Sequence, residues 1–154
     1  MTAAPIRKTI TVGLTPQAAF DLFTNGMETW WPLDTHSRAN ADKDETTEHV
    51  VFERRPEGSI YEVLSTGAHS QWGRVTVCEP PDRLVFDWKP NDEDRSPTEV
   101  EVTFTPVDGG TRVDLEHRKW ELLPDLDPAD HESYDVGWDY VFVERFGDAA
   151  GPPA

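Results

Sequence analysis

Residues Trp72–Trp88, WGRVTVCEPPDRLVFDW, read as two strands folded about the Pro80–Pro81 pair. Apolar side chains alternate along both runs, which predicts Val75, Val77, Leu84, Phe86 and Trp88 on one face and polar residues on the other. A hairpin with one apolar face must be covered, either by an ordinary core or by a wall around a hollow. The elements on either side decide what does the covering.

Upstream, Ile6, Lys8, Ile10 and Val12 alternate with Arg7, Thr9 and Thr11, the period of a strand. The period then changes. Thr15 suits an N-cap, Pro16 the first helical position, and Asn25–Gly26 a stop, with Ala19, Phe20 and Phe23 forming an apolar stripe. A second short helix, GMETWW, ends at Pro32. Residues 33–47 are polar and read as a long loop. Strands EHVVFERR and SIYEVLS lead into the hairpin, and the acidic loop KPNDEDRSP leaves it. The alternating run TEVEVTFTPV, a tight Asp-Gly-Gly turn and a last strand TRVDLEHRKWE follow.

A final helix is expected near 129–147, with Tyr134, Trp138, Val141 and Phe142 on one face and Gly137 allowing close approach to a neighbour. Gly147 is read as its end, and residues 148–154 as a flexible tail. Strands in succession followed by a terminal helix define an α+β domain. The expected form is a curved antiparallel sheet of about six or seven strands wrapped on a long C-terminal helix, with two short helices after the first strand. It makes one domain over residues 1–154, with an ordered core about 6–147.

Thirty acidic residues against 14 basic ones give a formal charge of −16 over 154 residues. That charge repels nucleic-acid phosphates and anionic membranes, so neither is an expected partner. Cys78 is the only cysteine, which excludes an intrachain disulfide, and with no base nearby it reads as a small strand residue. No segment approaches the length of an apolar membrane span, and the first residues lack the apolar core of a secretory leader. The expected location is the cytoplasm.

The words TPQAAFDLFT followed by WWPLDTHS, then VVFERRPEGSIYEV, WGRVTVCEPPDRLVFDW, TEVEVTFTPVDGGTRVDLEH, and GW in the last helix occur in one order over roughly residues 6–147. In that order the chain resembles the START-like (SRPBCC) superfamily with its helix-grip fold. The nearest branch is the one named after the activator of the heat-shock protein 90 ATPase. The resemblance implies a hollow between the concave sheet and the closing helix, often apolar and used for small ligands. It implies no single chemistry, since fold and function are separable.

Alternation on the last strand places Val113, Leu115 and His117 on one face, and Arg112, Asp114, Glu116 and Arg118 on the other, where their charges can pair. His117 is therefore either a core histidine satisfied by its neighbours or a group that orients or titrates a ligand. Trp30, Trp31, Trp88 and Trp138 are candidates to line the hollow with Val75, Phe86 and Phe142, and they suit an ordinary core equally well. His36, beside the paired tryptophans, and Tyr61, opposite in face to Ile60, complete the candidate ligand-binding set. The five histidines show no metal-site spacing, so neither a metal nor a cofactor is expected.

Three functions fit these residues. The leading expectation is a carrier or sensor of a small, mainly apolar or amphipathic ligand. The second is a cyclase- or hydrolase-type enzyme using His117, His36 or Tyr61. The third is a co-chaperone-like interaction domain, with a chaperone or a second copy of the chain as partner.

Overall fold

The computed structural model describes residues 4–33, 35–36, 46–89 and 96–154. Most of the loops expected over 33–47 and 89–97 lies outside the described residues. Seven strands form one antiparallel sheet: β1 (Ile6–Val12), β2 (Thr47–Phe52), β3 (Ser59–Leu64), β4 (His69–Glu79), β5 (Arg83–Trp88), β6 (Thr98–Val107) and β7 (Gly110–Arg118). Their spatial order is β1-β7-β6-β5-β4-β3-β2. Each strand after β2 pairs with its predecessor, as hairpin connections require, while β1 pairs in full register with β7.

The helices lie where the caps predict. In α1 (Pro16–Thr24) the Thr15 hydroxyl accepts from the Ala18 amide at 3.2 Å, and α2 (Met27–Trp30) follows at once. The closing helix is one rod in three parts: α3 (Pro128–Trp138), a π-helical segment (Asp139–Phe146) and α4 (Gly147–Ala150). Asp127 caps it by accepting from the Ala129 amide at 2.9 Å. The sheet curls as a half-barrel around this rod, the helix-grip arrangement expected from the sequence. Lys8, on the inner face of β1, ties the rod to the sheet through Asp135 and Asp139, one helical turn apart.

Several local expectations are corrected. The helix does not stop at Gly147 but continues to Ala150, and the residues after it are hydrogen-bonded to the body. The Gly13 amide donates to Gly151 O at 2.9 Å, and the Ala154 amide to Gly109 O at 3.0 Å. The last strand ends at Arg118, because Lys119 adopts a left-handed conformation (φ 70°) and turns the chain into a 3-10 turn, Trp120–Leu122. In β4 the register slips between Val75 and Val77. That bulge pairs Cys78 with inward-facing Leu84 and Val77 with Val85, so Val77 is not on the inner face as alternation predicts. Burial pushes the Cys78 thiol above its ordinary value, consistent with a packing role.

Gly137 is not a close-approach residue either, since a Cβ there would meet nothing within 4 Å. Gly73 is the tight position: a Cβ on it would lie 2.1 Å from the Asp87 carbonyl oxygen. Urea denaturation should therefore separate the two glycines. Gly137→Ala is expected to stabilise the protein by about 0.5–1 kcal/mol, through helix propensity alone. Gly73→Ala is expected to destabilise it by about 2–4 kcal/mol, through backbone overpacking.

The convex face carries the charges that alternation placed there. Arg118 bridges Glu99 at 2.8 Å, Glu116 at 2.9 Å and also Glu101, which Arg83 engages from the other side. Burial works to raise the Glu101 carboxyl, but hydrogen bonds from Arg83 and Arg118 outweigh it and hold it below the usual glutamate range. Arg118 lowers Glu116 in the same way. A carboxyl lowered in the folded state contributes stability above its unfolded value and loses it as pH falls through the folded one. Urea midpoints should therefore decline between about pH 5 and pH 3. Arg118→Ala should decline less steeply over the same interval.

Candidate functional site

Between sheet and closing helix lies a layer of aromatic rings. Trp31, at the C-terminus of α2, packs on Trp72 of β4 at 5.0 Å between ring centres, on Trp88 of β5 at 5.7 Å and on Trp138 of α3 at 6.2 Å. Trp88 lies 5.8 Å from Trp138 and 6.1 Å from Trp72. All four are at most 5% exposed, so their rings pack against protein atoms on nearly every side. Beyond them Phe23, Trp30, Phe142 and Phe146 continue the layer beneath α1 and the π-helical segment.

Indole is apolar except for one N–H, which needs an acceptor when buried. At one end of the layer that acceptor is His117. Trp138 Nε1–H donates to His117 Nδ1 at 3.0 Å, so Nδ1 carries no proton and the imidazole is the neutral Nε2–H form. Nε2–H then donates to Thr98 Oγ1 at 2.6 Å, and the Thr98 hydroxyl donates to Trp88 O at 3.2 Å. Trp120 packs against the imidazole, tilted by 41° with ring centres 4.3 Å apart, and donates its own Nε1–H to His117 O. The sequence expectation of an inward His117 is met, and both ring nitrogens are engaged by the fold.

At the other end the acceptor is a carboxylate. Glu62, on β3, is fully buried; its Oε1 accepts from Trp72 Nε1 at 2.9 Å and its Oε2 from the Thr47 hydroxyl at 2.6 Å. Ser70 pairs with Glu62 across the β3–β4 ladder and so shares its face. Sequence reading missed both residues, although the signal was present: alternation in SIYEVL puts Glu62 on the face of Ile60 and Leu64.

The remaining candidates fall in different places. Trp30 is buried and donates its Nε1–H to Leu22 O, making it part of the packing between α1 and α2. Val75, Phe86 and Phe142 are buried on the inner side. His36 is exposed, its ring 5.7 Å from Tyr140 and its carbonyl accepting from Trp31 Nε1 at 2.8 Å, so it is not brought to the buried His117. Tyr61 is on the outer face, stacked on His69 at 4.7 Å. A separate groove of about 300 Å³ lies on the convex face between Arg7, Glu101, Asp114 and Glu116, away from the aromatic layer.

A curled antiparallel sheet gripping a C-terminal helix, with an aromatic layer between them, defines a START-like helix-grip protein. The family described as Activator of Hsp90 ATPase homolog 1-like protein matches residues 14–150, and the chain belongs to it. Among solved structures it is similar to an anthrahydroquino-γ-pyrone synthase, Txn09, with 28% identity over 96% of this chain and 97% of that one, TM-score 0.62. It shares its fold with the Aha1 dimer from Colwellia psychrerythraea, at 15% identity over 96% of both chains and TM-score 0.66. It also shares it with DynU16, a putative protein of the dynemicin biosynthetic locus, at 16% identity, 95% of this chain and 46% of that one, TM-score 0.65. No curated protein matches the chain. No described helix is long and apolar enough to cross a membrane.

His117→Phe keeps the ring volume but leaves the Trp138 N–H without its acceptor. The expected cost is about 2–4 kcal/mol in urea denaturation, with a change in the near-ultraviolet dichroism of the tryptophans. Thr98→Val, which removes only the outer partner, should cost less.

Proposed function

We propose that this protein binds a small, largely apolar aromatic molecule between the concave sheet and the closing helix, as a carrier or sensor. The observation that carries this reading is the layer of four indoles, Trp31, Trp72, Trp88 and Trp138, in which the N–H of Trp72 ends on a buried carboxylate and that of Trp138 on a buried imidazole. Flat rings stack favourably on such a surface, and a few convergent polar groups supply orientation. The similarity to a synthase of an aromatic pyrone over almost the full length of both chains supports the same ligand class.

Because the rings fill their own layer, a ligand enters by displacing one of them. Trp31 is the ring with the least support from regular structure: it sits just past the four-residue α2, and its indole N–H is tied to the His36 carbonyl. Opposite it, the rod passes into the π-helical segment, a geometry that recurs at functional sites. Movement of Trp31 away from Trp72 would open a ring-sized slot without breaking a strand.

A catalytic reading of cyclase type is favoured by one observation: His117 and Glu62 reach the inner face from separate strands. For His117 to move a proton, Trp138 or Thr98 must release its ring nitrogen to the ligand. Native mass spectrometry of the protein isolated from its own host distinguishes these readings. A retained aromatic molecule, released unchanged on unfolding, is the expected result. Release of a chemically altered molecule after incubation favours catalysis. No retained molecule, together with unchanged tryptophan emission on adding naphthalene, counts against the binding reading.

A further inference from the structure

Ser70 is 5% exposed, and its hydroxyl has no hydrogen-bond partner among the described residues. A buried hydroxyl that has given up its water without replacement is rare in a native fold, and this one has a ring surface beside it. Ser70 and Trp72 are both buried on β4 while Gln71 between them is exposed, so the two share the inner face. The rise of a strand sets such neighbours about 6.6 Å apart along it. Trp72 is the indole on which Trp31 packs, with ring centres 5.0 Å apart. The unmatched hydroxyl therefore stands at the edge of the slot that a displaced Trp31 leaves.

We infer that Ser70 sets the specificity of the ligand site by donating its hydrogen to a carbonyl oxygen on the edge of an aromatic ring. This rests on the reading that an aromatic ligand enters the indole layer. Folds tolerate an idle lone pair better than an idle hydrogen, so the partner Ser70 lacks is an acceptor. The Trp72 indole and the Thr47 hydroxyl are both spent on Glu62, which is engaged within the fold and has no part in this contact. A ketone brings lone pairs and no hydrogen of its own, so seating it at Ser70 adds no donor to be matched. A ring hydroxyl brings a second hydrogen that needs an acceptor of its own, and a bare hydrocarbon leaves Ser70 as it is. The ligand class is a flat aromatic ketone, its ring against Trp72 and its oxygen at Ser70.

The test uses 1-tetralone and tetralin, which differ by one oxygen in place of two hydrogens, titrated by calorimetry into the whole chain, wild type and Ser70→Ala. Taking the ratio of the two dissociation constants within each protein, and comparing that ratio between proteins, cancels the probes' own difference in hydration. The preference for 1-tetralone should be about fivefold weaker in Ser70→Ala, the worth of one neutral hydrogen bond, with tetralin bound no less tightly. The carbonyl stretch of bound 1-tetralone, read by isotope-edited infrared spectroscopy, should be lowered in the wild type and restored in Ser70→Ala. Without ligand, Ser70→Ala should melt no lower than the wild type, since the hydroxyl serves no partner in the fold. An unchanged ratio, or a carbonyl stretch that is the same in both proteins, overturns the role of Ser70 and leaves aromatic binding standing. A lowered melting temperature in Ser70→Ala also overturns it, by showing that the hydroxyl has a partner in the fold. Failure of both probes to bind the wild type overturns it together with the reading on which it rests.

Discussion

Strands β1 and β2 follow one another in the chain but occupy opposite edges of the sheet. The chain between them must therefore cross from one edge to the other, and α1 and α2 are the described part of that path. Because the crossing runs over the concave face, its side chains cannot be small. Phe20, Phe23, Met27, Trp30 and Trp31 descend from it into the sheet, and the closing helix fills what remains. The width of the half-barrel sets the demand for ring-sized residues, and the crossing supplies them.

An aromatic interior of this kind has a polarity problem, because every buried indole brings a donor that must be matched. For five of its six tryptophans the protein meets it with few groups. Leu22 O and His36 O serve the two tryptophans of the crossing, and His117 O serves Trp120. Glu62 serves Trp72 of β4, and the His117 ring serves Trp138 of α3. The direction of each bond is fixed, because indole donates and never accepts. That asymmetry settles the histidine tautomer, and through Thr98 it reaches the last backbone carbonyl of β5. Structure and candidate site share the same few atoms, so a change to either is felt by the other.

Most of the architecture was legible in the sequence, for physical reasons. Alternation is enforced by the pleat, so β1, β6 and β7 announced their inner faces, His117 included. The Thr15 cap with Pro16 announced α1. What failed was whatever depends on a single inserted residue or on a distant partner. The bulge after Val75 exchanges the faces of Val77 and Cys78, and nothing in VTVC marks it. Lys119 turns the chain before Trp120, so that ring leaves the strand and covers His117. Glu62 was hidden by an assumption rather than by the pattern: alternation points it inward, but a buried carboxylate is credible only once Trp72 and Thr47 are seen to meet it.

The lattice of ion pairs on the convex face has a consequence for how the protein responds to dissolved electrolyte. Arg7, Arg83, Arg112 and Arg118 each have a carboxylate within bonding distance on the same sheet, and Lys8 has two on the closing helix. These cations are held by short-range contacts, while the remaining acidic surplus acts at long range with little to oppose it. Counterions screen distant charges more effectively than close, half-buried pairs. Adding electrolyte therefore quiets the repulsion and spares the lattice. For this chain the ionic atmosphere becomes a stabilising partner of the fold rather than a competitor with its salt bridges.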